Sequence, residues 1–305
     1  MVLWHLVRKS VFGGIRTGFV PGFCYSGQTW RCCHEGAVLL EDIRKEMAGY
    51  TGGQVDLTKD ESTGVATITL NNPDRRNALS GHMMVQLADA VSNLEEWKSG
   101  KGVLLCANGS FFCSGGDLNT IRKINNPEGG LRMSIFVHDT LSRLQNLPMI
   151  SVAVVQGKAL GGGAELTLSC DFRLMTSEAK LQFVQAKMGV TPGWRGGTRL
   201  VHLVGPAKAL QLLVSCEKLS AHDCLQAGLA SAILDTGHDP QRQALNWLLK
   251  NTAGSTEVIR ATKMVVANAQ SLPLEESLKR ERLIFSTVWG GPANIAALQE
   301  NIKHR

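Results

Sequence analysis

Residues 150–172 read ISVAVVQGKALGGGAELTLSCDF. Ile150 to Val155 is an apolar run interrupted only by Ser151, the pattern of a strand buried on both faces. Gly161-Gly162-Gly163 follows, and Ala164-Glu165-Leu166 then opens a helical pattern. A strand that runs through glycines into a helix leaves unpaired backbone N–H groups with no side chains over them. With the helix dipole behind them, such groups can hold an oxyanion. A second glycine cluster, FFCSGGDL at 111–118, lies upstream. Two donors from two loops, aimed at one oxygen, would stabilise an enolate or a tetrahedral intermediate.

Outward from this stretch, strand and helix patterns alternate. Val65 to Leu70 is β-rich and alternating, and Asn71-Asn72-Pro73-Asp74 is a turn. Met83, Leu87, Ala90, Val91 and Leu94 recur at helical spacing between about Ser80 and Trp97. Gly102 to Ala107 is a short apolar strand, 131–147 a helix, and 172–175 a further strand. Helices are expected over 198–204 and 206–215, and beyond Pro240 the pattern is helical to the end. The alternation predicts an α/β fold with a terminal helical region. The division expected is an N-terminal extension over 1–52, a core over 53–245 and a helical region over 246–305.

The chain of 305 residues is long enough for a large core. Its net charge of +6 comes from scattered Lys and Arg, so no nucleic-acid partner is expected. No apolar stretch is long enough to span a bilayer, so no membrane partner is expected either. Eight cysteines stand at 24, 32, 33, 106, 113, 170, 216 and 224 without a Cys-x-x-Cys pair. They read as reduced residues of an intracellular protein, not as a zinc site. Residues 1–34 hold Arg8, Lys9, Arg16 and Arg31 and no acid, a composition that fits a mitochondrial presequence or a disordered extension. Cys32-Cys33-His34 looks like a ligand cluster, but no metal is expected there. No P-loop is present, and no G-x-G-x-x-G opens a helix after the first strand, so the glycines are not expected to hold a nucleotide's phosphates.

Four blocks together carry a family resemblance: RRNALS at 75–80, FFCSGGDL at 111–118, GKALGGGAELTLSCDFRL at 157–174 and TPGWRGGTRL at 191–200. In order and spacing they resemble the enoyl-CoA hydratase/isomerase, or crotonase, superfamily. The resemblance implies a spiral core of repeated ββα units and an acyl-CoA substrate. It also implies no cofactor, and C-terminal helices that help form trimers or hexamers, for which Leu274, Leu278, Leu283 and Ile284 supply apolar positions. It assigns the oxyanion donors to the backbone N–H groups of Gly116 and Gly162, and coenzyme A contacts to Asn77, Ala78, Leu79 and Ser114. Each donor of this kind is worth about 3 kcal/mol of transition-state stabilisation.

Hydratases of the family use two glutamates to position and deprotonate water. Glu165 matches the first position, whereas the second holds Gln185, which cannot be a general base. Loss of carbon dioxide from a malonyl-type thioester needs no base, because the breaking C–C bond supplies the electrons. A second carboxylate 4 Å from the substrate's own would oppose it by about 4 kcal/mol at an effective dielectric near 20. A neutral glutamine avoids this. The blocks LGGGAEL, CDFRLMT and TVWGGPAN (287–294) narrow the resemblance to family members that decarboxylate short branched malonyl-CoA thioesters, ethylmalonyl-CoA giving butyryl-CoA, and methylmalonyl-CoA besides. Such members serve metabolite repair in the cytosol. Glu165 is then the expected proton donor or orienting group. Trp194 is an expected wall of the acyl pocket, His138 a remote proton-donor candidate, and His82 carries no chemistry. The alternatives are a hydratase or isomerase with another base, and a non-catalytic CoA- or RNA-binding protein.

Overall fold

A computed structural model describes the backbone of residues 29–300 and the side chains from Leu39 onward. Cys32-Cys33-His34 therefore lies outside the described side chains, and most of the basic stretch 1–34 outside the described residues altogether. The elements in chain order are α1 (Thr29–Ala48), β1 (Gln54–Asp60), β2 (Val65–Asn71), α2 (Gly81–Glu96), β3 (Gly102–Ala107), α3 (Leu118–Lys123), α4 (Pro127–Asn146), β4 (Ile150–Val155), β5 (Lys158–Leu160), α5 (Gly162–Thr167), β6 (Phe172–Thr176), β7 (Lys180–Gln182), α6 (Gly196–Val204), α7 (Pro206–Ser215), β8 (Lys218–Ser220), α8 (Ala221–Gln226), β9 (Ala232–Leu234), α9 (Pro240–Asn251), α10 (Thr256–Ser271), α11 (Leu274–Val288) and α12 (Pro292–Gln299).

The strands form a six-stranded sheet, β1-β2-β3-β4-β6-β9, and a three-stranded sheet, β5-β7-β8. β1 and β2 are antiparallel, and every pairing from β2 to β9 in the larger sheet is parallel. Parallel strands need crossover segments, and here helices cover the sheet. β3 is accordingly buried at every residue. The helices start where their sequences allow. The Ser80 hydroxyl accepts from Met83 N–H at 3.1 Å to open α2. Asn126 accepts from Gly129 N–H at 2.9 Å, with Pro127 in the first helical position, to open α4.

Two expectations need correction. The expected extension over 1–52 contains α1, whose Ile43 and Met47 are fully buried in the same core as Met83, Leu87, Val91 and Leu141. The helix after the triple glycine is only six residues long, because its chain turns at Leu168–Cys170 to enter β6. So short a helix adds little dipole, and any anion binding there rests on the free N–H groups themselves.

The C-terminal helices lean on the body through two cations. Arg260 donates to the carbonyls of Trp97 (3.1 Å), Lys98 (3.3 Å) and Gly100 (2.9 Å), and the buried Lys263 pairs with Asp171. Asp171 also accepts from the Ser151 N–H and hydroxyl, both at 2.8 Å, which ties α10 to β4.

Cys106, Cys113, Cys170 and Cys224 are buried, and burial pushes each thiol up to about 12. Iodoacetamide at pH 8 is expected to leave all four unmodified in the folded protein and to alkylate them in urea, as mapped by peptide mass spectrometry. Rapid native labelling of any of the four would contradict their placement.

Candidate active site

The loops that leave β2, β3 and β4 meet at the carboxyl ends of these parallel strands, where open α/β sheets hold their ligands. Two single-residue bridges join them: Leu79 with Gly116, and Cys113 with Ala159. Leu79 N–H donates to the Gly115 carbonyl and Asp117 N–H to the Leu79 carbonyl, each at 2.8 Å. This parallel pairing turns the Gly116 N–H away from Leu79, toward the side on which β5 and α5 lie. A Cβ on Gly115, which holds φ +99°, would stand 3.2 Å from the Gly162 nitrogen, so the two glycine loops are in contact. Gly115, Gly161 and Gly163 are buried, while Gly116 and Gly162 are half-exposed. The two expected donors are thus the members of their clusters that a ligand can reach. Among the described residues neither N–H has an acceptor.

Asn77 differs from a ligand contact. It is fully buried at φ +53°, and its amide donates to the Asn108 and Phe111 carbonyls, both at 2.7 Å. Its Oδ1 accepts from Asn72 N–H at 2.8 Å. It staples the β2 loop to the β3 loop and offers a ligand no side-chain group. Ala78 and Leu79 are buried beside it, and the Ser114 N–H is engaged with the Arg76 carbonyl at 3.1 Å.

Glu165 and Gln185 do come together. Gln185, at the start of a 3-10 turn, donates its amide to Glu165 Oε1 at 2.7 Å. The Gly193 N–H reaches the same oxygen at 3.4 Å, and Trp194 and Gly196 N–H donate to Oε2 at 2.9 and 2.7 Å. Burial pushes the Glu165 carboxyl up from its ordinary value, against the pull of these N–H donors. The backbone donors were invisible to a reading of side-chain identities; only the glycines at 193 and 196 hinted at so close an approach. A Cβ on Gly196 would sit 2.3 Å from Glu165 Cγ.

Trp194 is 4% exposed, and its indole lies across both glycines. A Cβ on Gly162 would meet its Cζ3 at 2.5 Å, and one on Gly116 its Cζ2 at 3.7 Å. Behind the ring, Leu79, Met84, Leu87, Val137 and Leu141 help enclose a cavity of about 10 Å³. His138 is half-buried on α4, and burial together with Arg195 holds its imidazole below the ordinary value. The backbone N–H of His82 donates to the Tyr50 carbonyl at 2.9 Å. Trp289, in the TVWGGPAN block, is 67% exposed at the end of α11, outside this cluster. Among the described residues no group of three His, Cys, Asp or Glu is arranged to hold a metal.

The sequence pattern of the enoyl-CoA hydratase/isomerase family matches residues 60–290. The chain is 46% identical over 265 residues to an ethylmalonyl-CoA decarboxylase of Xenopus laevis, covering 86% of this chain and 88% of that one. It is 44% identical over 265 residues to the human ethylmalonyl-CoA decarboxylase, covering 86% of each. Among solved structures, an enoyl-CoA hydratase from Polaromonas sp. JS666 superposes with a TM-score of 0.74 at 26% identity, over 83% of this chain and 99% of that one. A putative enoyl-CoA hydratase from Thermobifida fusca, solved in complex with acetoacetyl-CoA, gives 0.70 at 26% identity, over 81% and 98%. With its four sequence blocks gathered around one pair of glycine N–H groups, and with these matches along most of its length, the chain belongs to the enoyl-CoA hydratase/isomerase family.

Proposed function

We propose that the protein decarboxylates short branched malonyl-CoA thioesters, converting ethylmalonyl-CoA to butyryl-CoA and accepting methylmalonyl-CoA, in metabolite repair. The observation that carries this is the Glu165–Gln185 pair. The site holds one carboxylate where water addition calls for two, and that carboxylate is engaged by N–H donors on both oxygens. The names of the curated relatives point the same way.

The thioester oxygen accepts from the Gly116 and Gly162 N–H groups. The C–C bond to the carboxylate breaks, its electron pair passes into the enolate, and carbon dioxide leaves. One proton then adds to the carbon that lost it. The neutral Gln185 spares the departing carboxylate a like charge, and the thioester itself is the electron sink. Apolar residues exposed on α11, namely Leu274 at 72%, Leu278 at 45% and Leu283 at 63%, support assembly into trimers or hexamers. The compartment proposed is the cytosol.

Incubation with ethylmalonyl-, methylmalonyl- and crotonyl-CoA, with products analysed by mass spectrometry, tests the reaction. The expected outcome is loss of carbon dioxide from the malonyl thioesters. Hydration of crotonyl-CoA with both malonyl thioesters untouched would overturn it.

A further inference from the structure

Resting on the proposed reaction, we infer that Glu165 is a positioning residue and not the enolate's proton donor: it holds the Gly193–Gly196 loop so that Trp194 lies across the oxyanion glycines, and Trp194 sets the upper size of the acyl group. Every group bonded to the Glu165 carboxylate is an N–H donor: Gln185 and Gly193 on one oxygen, Trp194 and Gly196 on the other. A proton on either oxygen would displace one of them. Burial favours the neutral acid, but every group placed against the two carboxylate oxygens donates to them. The loop is also held from its far side. The Gly193 carbonyl accepts from the Ser134 hydroxyl of α4 at 2.8 Å, and Arg195 bonds the Ser142 hydroxyl of the same helix. Between these two clamps the Trp194 side chain has one place to go.

That place decides the acyl space. The indole stands within contact of Gly162 and Gly116 and closes a cavity of about 10 Å³, roughly one water-sized space. A short branch enters by modest movement of Met84, an unbranched and adaptable side chain. A long acyl chain requires the indole to leave. One methylene in such a pocket changes selectivity by about 10–200-fold.

Three variants test this, each read by decarboxylation of ethylmalonyl-CoA and by calorimetric binding of butyryl-CoA and octanoyl-CoA, with thermal melts to establish folding. Glu165→Ala frees the loop and is expected to lose about 100-fold in turnover, the scale of a misplaced site, and to weaken butyryl-CoA binding. Glu165→Gln is expected to recover most of that loss. Its carbonyl keeps the Trp194 and Gly196 donors, and its amide faces Gln185, whose Oε1 is buried without a hydrogen-bond partner and can be turned to accept it. Trp194→Ala is expected to shift the octanoyl-to-butyryl affinity ratio at least ~10-fold toward the longer chain. A Glu165→Gln protein as inactive as Glu165→Ala, or an unchanged affinity ratio in folded Trp194→Ala, would overturn the inference. The binding arms need no turnover. If the wild-type protein released no carbon dioxide, the proposed reaction would fall and the question of its proton donor with it, while the hold of Glu165 on the loop and the size limit set by Trp194 would still be decided by butyryl- and octanoyl-CoA.

Discussion

Gly163→Ala is expected to abolish activity and to destabilise the fold by about 3 kcal/mol or more. A Cβ at this position stands 2.1 Å from the Cys113 carbonyl oxygen and 2.7 Å from its carbon, with the Cys113 Cβ at 2.8 Å. None of these is the end of a flexible side chain. Cys113 cannot retreat, because its N–H donates to the Lys158 carbonyl at 3.2 Å and its carbonyl accepts from Leu160 N–H at 2.9 Å. The relief is to part the two glycine loops, and that separates the Gly116 and Gly162 N–H groups proposed to hold the thioester oxygen. Loss of aim at an oxyanion costs on the order of 100-fold or more in rate. Gly130→Ala is the control: it lies in α4 with nothing within 4 Å of the added Cβ, so alanine there should stabilise the helix by about 0.5–1 kcal/mol. Urea unfolding and turnover of both proteins check the pair. Wild-type stability and rate in Gly163→Ala would show that the loops are not packed as described.

The second large effect lies far from the glycines. Ile43→Ala combined with Met47→Ala should leave most of the protein unfolded at 37 °C. Each side chain is fully buried, and such truncations cost about 2–5 kcal/mol apiece. Together they approach the whole stability of an ordinary domain, about 5–15 kcal/mol. The ion pairs along α1 cannot compensate. Arg44–Asp89 at 2.5 Å and Arg132–Glu46 at 2.8 Å are partly exposed, and pairs of that kind contribute about 0–1 kcal/mol. The cost also reaches the site, since α1 packs on α2 and α4, which supply Met84, Leu87, Val137 and Leu141 to the wall behind Trp194. A melting temperature within a degree or two of wild type would contradict the placement of α1.

The elements legible in the sequence were those with period and length. β2, β3, β4, α2 and α4 fall where alternation, apolar runs or helical spacing put them, because each must bury one face or both. The three-residue strands β5, β7, β8 and β9 carry too few positions for any period to show. α1 escaped for a related reason: among its described side chains the fully buried ones are Ile43 and Met47, one i, i+4 pair among charges. At the site, the resemblance pointed to Gly116, Gly162, Glu165 and Gln185, and the structure brings the last two into hydrogen bond. Asn77 was readable as a position but not as a role, since the partners that occupy its amide are backbone carbonyls 31 and 34 residues away. The grip on Glu165 was hidden for the same reason, as backbone N–H groups leave no mark in residue identity.

The burial of α1 also sets an order of events at the ribosome. Ile43 and Met47 are made before either surface that covers them, and the second of those surfaces, α4, ends at Asn146. At synthesis rates of roughly 5–20 residues per second, the Ile43 and Met47 side chains of α1 wait about 5–20 s for their partners. During that interval the nascent chain carries an uncovered apolar pair next to its basic, acid-free N-terminal stretch, and docking of α1 ends the exposure only once α4 has emerged.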